Sequence, residues 1–254
     1  MEGGEDNSPT TGSNNALVLG HRRAARATLA AMSLVRVLVA DDHPLFRAAV
    51  LHALREEIDV GQTLEVASVS ALTEALAVHP DVDLVLLDLT MPGARGFSSL
   101  VWLRGERPDI PVIVISSNDH PRVIRRAQQF GAAGFIPKSA PAEAIRTAVT
   151  AVMGGDTCFP PLAAERSERD AQLAARLARL TPQQFRVLLC VADGLLNKQI
   201  AYELGLAENT VKVHVTAILK KLECNSRTQA ALLVKALEPE GDPDPASDTS
   251  GGAS

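Results

Sequence analysis

Five short apolar runs divide the first two thirds of the chain: Val35–Ala40, Leu64–Ser68, Leu84–Asp88, Val112–Ser116 and Gly134–Pro137. Each is too short for a helix, and the first, third and fourth are rich in Val, Leu and Ile, as expected of strands buried on both faces. Between them lie stretches with helical spacing, starting near Pro44, Ala71, Phe97, Pro121 and Pro141. This alternation predicts a doubly wound, five-stranded parallel α/β sheet over residues 34–153. The pattern then changes. Gly154-Gly155 and the turn-like Thr157–Pro161 open a linker, 154–180, whose charged, Ala/Leu-rich second half reads as partly helical. No strand signal follows. Thr181-Pro182-Gln183-Gln184 is a capping box with proline at the first helical position. Asn197 reads as the cap of a short helix, Lys198–Leu204. Gly205 turns the chain, and Glu208–Leu222 and Ser226–Leu237 read as two further helices. Residues 181–237 are therefore expected to form a second, all-α domain.

Composition trims the possibilities. Apolar residues make up 46% of the chain, enough for a core, and a net charge of −5 argues against a protein that coats nucleic acid or membrane along its whole length. A local basic patch is untouched by that argument. Residues 1–33 begin Gly/Ser/Asn/Thr-rich and are expected to be a disordered extension; residues 238–254 are expected to be a disordered acidic tail. Residues 21–34 carry positive charge beside a short apolar part without a strong cleavage context, and Met32 offers a second translation start. No run of eighteen apolar residues marks a membrane span. Cys158, Cys190 and Cys224 are odd in number and widely spaced, so they suit a reducing cytoplasm and small buried hydrophobes better than disulfides or metal ligation.

The strand ends carry the chemistry. Val35–Ala40 leads into Asp41-Asp42, Leu84–Leu87 into Asp88, Val112–Ile115 into Ser116, and Gly134–Pro137 into Lys138. In an open parallel sheet, ligands bind at the carboxyl ends of strands. An isolated Asp after a strand is ordinarily a helix cap, and a lone Ser or Lys a turn or surface residue. Carboxylates, a hydroxyl and an ammonium at consecutive strand ends form a different object. A carboxylate can accept a phosphoryl group as a nucleophile. The charge requires a divalent cation, and Mg²⁺ takes carboxylates plus water and phosphate oxygens. Asp42 and Asp88 would supply those carboxylates, with Asp41 supporting through water. Lys138 would neutralise a phosphate oxygen, and Ser116 would donate to another.

These residues resemble a known family. Val37–His43, Asp88-Leu89-Thr90-Met91-Pro92-Gly93, Ser116 and Phe135-Ile136-Pro137-Lys138-Ser139 look like the flavodoxin-like receiver domain of a two-component response regulator. The resemblance implies Asp88 as phospho-acceptor, served by a partner sensor histidine kinase. It implies that the Thr90 carbonyl completes the metal site, that Ser116 is a switch hydroxyl, and that Phe135 is the aromatic that turns inward with it.

In Glu208–Leu222, Val211, Val215, Ile218 and Leu222 recur at core-facing spacing, while Asn209, Lys212, Val213, Thr216 and Lys220 form the opposite stripe. Lys, Thr and an exposed Val suit a major groove, with guanine or phosphate for the ammonium and a thymine methyl for the apolar group. A short helix and a Gly turn precede it, so this is a helix-turn-helix with the second helix as reader. From Leu180 to Leu237, seven Lys/Arg face four Asp/Glu, a mildly basic balance in an acidic chain. Leu180-Thr181-Pro182, Asn197–Ala201, Glu208–His214 and Leu222 through Thr228 resemble the four-helix LuxR-class DNA-binding domain, and the pair of domains is similar to the NarL/FixJ subfamily. The resemblance adds Lys198 and Thr210 to the DNA contacts. Phe185-Arg186 departs from the family's charged residue and Glu, which questions an internal ion pair there.

The expected function is a cytoplasmic, phosphorylation-controlled regulator that binds double-stranded DNA as a homodimer through the last helix and is not itself an enzyme. The linker would let the receiver rest against the helix-turn-helix until phosphorylation releases it. A phosphatase with an aspartyl-phosphate intermediate would want a second Asp where Thr90 stands. A diffusible-signal regulator would need an apolar ligand cavity and would leave Asp41, Asp42 and Lys138 unexplained.

Overall fold

A computed structural model describes residues 35–55, 60–161 and 167–238. The expected terminal extensions, 1–33 and most of 238–254, lie outside the described residues. The first domain alternates β1 (Val35–Ala40), α1 (Pro44–Arg55), β2 (Val60–Val66), α2 (Val69–Val78), β3 (Leu84–Asp88), α3 (Ser98–Glu106), β4 (Val112–Ser116), α4 (Pro121–Gln129), β5 (Gly134–Pro137) and α5 (Ala142–Met153). The strands form one parallel sheet in the order β2-β1-β3-β4-β5. The order reverses beside β1, so the carboxyl ends of β1 and β3 flank the switch point where such sheets bind ligands.

Strand alternation builds two cores. Val37, Val39, Leu84, Leu86, Ile113 and Ile136 pack with α1 and α5 on one face. Leu38, Val85, Leu87, Val114 and Phe135 pack with α2, α3 and α4 on the other. β2 starts and ends earlier than the expected Leu64–Ser68. Ser68 is not a strand residue at all but the N-cap of α2, its hydroxyl accepting from the Ala71 N–H at 3.2 Å. At the other edge, Cys158 runs alongside β5 as an isolated parallel bridge to Gly134. A Cβ on Gly134 would stand 2.8 Å from the Cys158 carbonyl oxygen, so only glycine admits that strand-like cover.

The second domain contains α7 (Pro182–Ala192), α8 (Asn197–Leu204), α9 (Glu208–Leu222) and α10 (Arg227–Lys235), preceded by α6 (Glu168–Leu177). The α7 capping box is present, Thr181 and Gln184 satisfying each other's backbone N–H groups. Asn197, expected as a cap, is instead the first residue of α8. The Gln199 side chain caps that helix by accepting from the Leu196 N–H at 2.7 Å, which frees Asn197 Oδ1 to accept from Arg227 Nη1 at 3.1 Å. Gly205 takes the left-handed conformation, φ 64°, that turns α8 into α9.

The helical part of the linker is packed, not slack: Leu173 and Leu177 of α6 are buried. The α2–α3–α4 core continues through them and Leu180 into Phe185, Leu188, Ile218 and Val234 of the helical domain. Polar contacts reinforce this seam. The Phe97 N–H donates to the Leu237 carbonyl at 3.0 Å. Arg126, 8% exposed, donates to the carbonyls of Ala236 and Glu238, lies 3.3 Å from Asp170, and stacks over the Phe97 and Phe130 rings at 5.0 and 5.7 Å. Arg95 pairs with Asp193 across the same seam.

Candidate phosphoryl site and nucleic-acid interface

The ends of β1, β3 and β5 deliver their side chains to one pocket. Asp41 and Asp88 are fully buried, and the Lys138 ammonium reaches Asp41 Oδ2 at 2.8 Å and Asp88 Oδ2 at 2.9 Å. The approach to Asp88 has hydrogen-bond alignment, whereas that to Asp41 is a charge contact only. Burial pulls the ammonium toward neutrality, but the two carboxylates outweigh it and hold the Lys138 pKa above the ordinary lysine value. The Phe46 ring lies 5.4 Å below the same ammonium. Thr90 donates to Asp88 Oδ1 through its N–H at 3.1 Å and through its hydroxyl at 3.0 Å. Its side chain and backbone therefore position the Asp88 carboxylate.

Asp42 is half-buried, and its Oδ1 has no well-aligned hydrogen bond. Donor atoms of Asp41, Asp42, His43 and Asp88 all lie within 4.8 Å of one another. Three carboxylates at that separation repel each other unless cations intervene, and one ammonium offsets only part of the charge. Hard oxygen donors in a small, partly buried cluster fit Mg²⁺. His43 was not anticipated as a member of this cluster, although its place directly after the acidic pair was the available signal.

Ser116 is buried at the end of β4, its hydroxyl accepting from the Asn118 N–H at 3.1 Å and its carbonyl from the Lys138 N–H at 2.8 Å. Phe135 is 2% exposed, so in this conformation its ring already lies inside the core. The Ser116 hydroxyl is turned toward the β4–α4 loop, and Phe135 packs in the α2–α3–α4 core.

In the helical domain, α9 buries Val211, Ile218 and Leu222 and leaves Asn209, Thr210, Lys212, Val213, Thr216 and Lys220 exposed. Val213 is 61% exposed, an apolar group held out in water beside Lys212. Lys198 is exposed on α8. Lys212 meets Glu208 at 3.1 Å one turn back, an exposed pair that holds the ammonium only weakly. Where an internal ion pair was in doubt, Phe185 is simply core and Lys221 Nζ donates to Gln184 Oε1 at 2.8 Å.

The receiver rests against the helical domain, on α7 and the end of α10, and the outward stripe of α9 stays open. The last helix, expected to pair two chains, offers little spare apolar surface. Ala230, Val234 and Leu237 are buried, Ala231 is half-buried, and Leu232 alone of the five named is strongly exposed, at 59%.

The model of the response regulator receiver domain family matches residues 37–150, and that of the bacterial regulatory proteins of the luxR family matches residues 178–234. The glycerol metabolism activator of Pseudomonas putida is 38% identical over 206 residues, covering 78% of this chain and 93% of that protein. The nitrate/nitrite response regulator protein NarL of Escherichia coli K12 is 34% identical over 203 residues, covering 78% and 94%. A solved structure of the Salmonella typhimurium RcsB response regulator is similar with a TM-score of 0.46 and 22% identity, covering 81% of this chain and all of that one. Among the described residues, no helix is long and apolar enough to cross a membrane.

Proposed function

Because the chain belongs to the NarL/FixJ subfamily of two-component response regulators, a receiver domain followed by a LuxR-class output domain, we propose that it takes a phosphoryl group on Asp88 from a sensor histidine kinase and thereby controls its own binding to double-stranded DNA in the cytoplasm. The observation that carries the reading is the convergence of Lys138 on Asp41 and Asp88 at the sheet's switch point, with Asp42 alongside. Asp88 Oδ forms the new bond to phosphorus as the donor's bond from imidazole nitrogen breaks, the electron pair leaving with the imidazole. Bound Mg²⁺ would neutralise charge on the transferring group, held by Asp42, Asp88 and the Thr90 carbonyl, with Asp41 acting through water. Lys138 then trades a carboxylate for a phosphate oxygen. The Ser116 hydroxyl leaves Asn118 for another. Asp42→Ala should weaken Mg²⁺ binding and phosphorylation together; unchanged Mg²⁺ affinity by calorimetry would remove Asp42 from the site.

On the output side, α9 enters the major groove, with Asn209, Thr210, Lys212, Val213, Thr216 and Lys220 facing DNA and Lys198 of α8 on the backbone. If Lys212 meets a phosphate, Lys212→Ala weakens all sequences alike and lowers the salt slope by about 1. If it meets guanine, discrimination falls by ~1–3 kcal/mol at one position. An unaltered footprint and affinity would exclude both. The DNA-bound form is a homodimer, Leu232 of α10 being the exposed apolar side chain available for pairing. Its operator should be an imperfect inverted repeat, and protection of a single isolated half-site would count against the dimer.

A further inference from the structure

His43 supplies the nitrogen in the acidic pocket, and the phosphoryl chemistry makes no use of it. Its Nδ1 lies 2.7 Å from Asp42 Oδ1, 3.3 Å from Asp41 Oδ1 and 3.1 Å from Lys138 Nζ. An ammonium can only donate a hydrogen bond and an ionised carboxylate can only accept one. A proton on Nδ1 therefore opposes Lys138, and a lone pair on Nδ1 opposes two carboxylates. No protonation state of the ring suits all three neighbours. A divalent cation does, because it takes the lone pair and the carboxylate oxygens together and displaces the ammonium. The backbone holds His43 ready for this, its N–H donating to Asp41 Oδ1 at 2.7 Å, while the side chain, 60% exposed, can turn at little cost.

The nitrogen decides which cation gains. Carboxylate and water suit Mg²⁺, whereas imidazole suits Zn²⁺, Ni²⁺ and their late first-row neighbours. Resting on the reading of this pocket as the phospho-acceptor site, the geometry points to a second, inhibitory ligand class: His43 Nδ1 joins Asp42 and Asp88 to hold a late first-row divalent cation more tightly than Mg²⁺, and that cation closes the pocket to phosphoryl transfer. Mg²⁺ keeps several waters that phosphate oxygens can replace. A cation held by an additional protein ligand leaves fewer such positions.

Calorimetric titration of the full chain with Zn²⁺ and separately with Mg²⁺ tests the idea, with Co²⁺ visible absorption as a direct report of nitrogen ligation. His43→Ala should lower Zn²⁺ and Co²⁺ affinity by at least about tenfold, comparable to the smallest losses seen when even supporting residues of metal sites are changed. It should shift the Co²⁺ band and leave Mg²⁺ affinity within about twofold. His43→Asn, which keeps a polar side chain at this exposed position, should behave alike. Labelling of Asp88 by acetyl phosphate in Mg²⁺ should fall as Zn²⁺ is added to the wild type and resist that addition in His43→Ala. Zn²⁺ affinity unchanged by both variants overturns the proposal, as does Zn²⁺ binding that survives Asp42→Ala at full strength, which would place the ion elsewhere. A wild type that binds Zn²⁺ through His43 but never labels on Asp88 would instead sink the phospho-acceptor reading and leave the metal ligation standing.

Discussion

Asp88→Ala should give a folded chain that takes no phosphoryl group. Incubation of the wild type with acetyl phosphate and Mg²⁺ should add one hydroxylamine-sensitive group by intact mass, and the variant should add none. The loss is expected to be complete because the alternatives are poorly placed. Asp41 is fully buried against Lys138 and held by the His43 N–H, and Asp42 is the carboxylate proposed for the cation. Folding should survive the change. The substitution deprives Thr90 and Lys138 of one acceptor, but it also relieves the crowding of three carboxylates. Label that persists in the variant would move the acceptor to another residue.

Arg126→Ala should uncouple the two domains. The guanidinium reaches across the seam to the carbonyls of Ala236, the C-cap of α10, and of Glu238 just beyond it. Removing it strands those carbonyls and leaves Asp170 without its partner. Breaking a fully buried ion pair costs ~3–5 kcal/mol; with the Asp170 side chain about 25% exposed, the expected loss is nearer 2–3 kcal/mol. Amide exchange should rise at Phe97 and through the last turn of α10, and small-angle scattering should report a more extended chain. If exchange and scattering match the wild type, Arg126 is not what holds the seam.

Much of this architecture was legible because buried strands announce themselves. β1, β3, β4 and β5 match the boundaries of their apolar runs, including the terminal Asp88 and Ser116 that aim chemistry at the pocket. β2 was misplaced for a physical reason. It is an edge strand paired on one side only, so Gln62 and Glu65 face water and no continuous run marks it. Asn197 has the chemistry of a cap, but Gln199 took that role and left its amide for Arg227. His43 follows the acidic pair directly, but sequence alone does not say that its ring folds back to the carboxylates. Arg126 was hidden more thoroughly. On an amphipathic helix such as α4 an arginine reads as solvent-facing, and only the docking of a second domain converts that face into an interior.

The unbroken apolar core also limits how this protein can be recombined. Here Phe130 of the first domain and Phe185 of the second line one cleft of about 540 Å³, with the alanine-rich face of α6 as its third wall. A chimaera that pairs this output domain with a foreign receiver would put Leu177, Leu180 and Phe185 in water, and the foreign surface would have to supply both the apolar cover and a cation for the end of α10. Exchange between such regulators is therefore gated by the fit of a wedge, and the lineage of the linker helix should follow that of both neighbours.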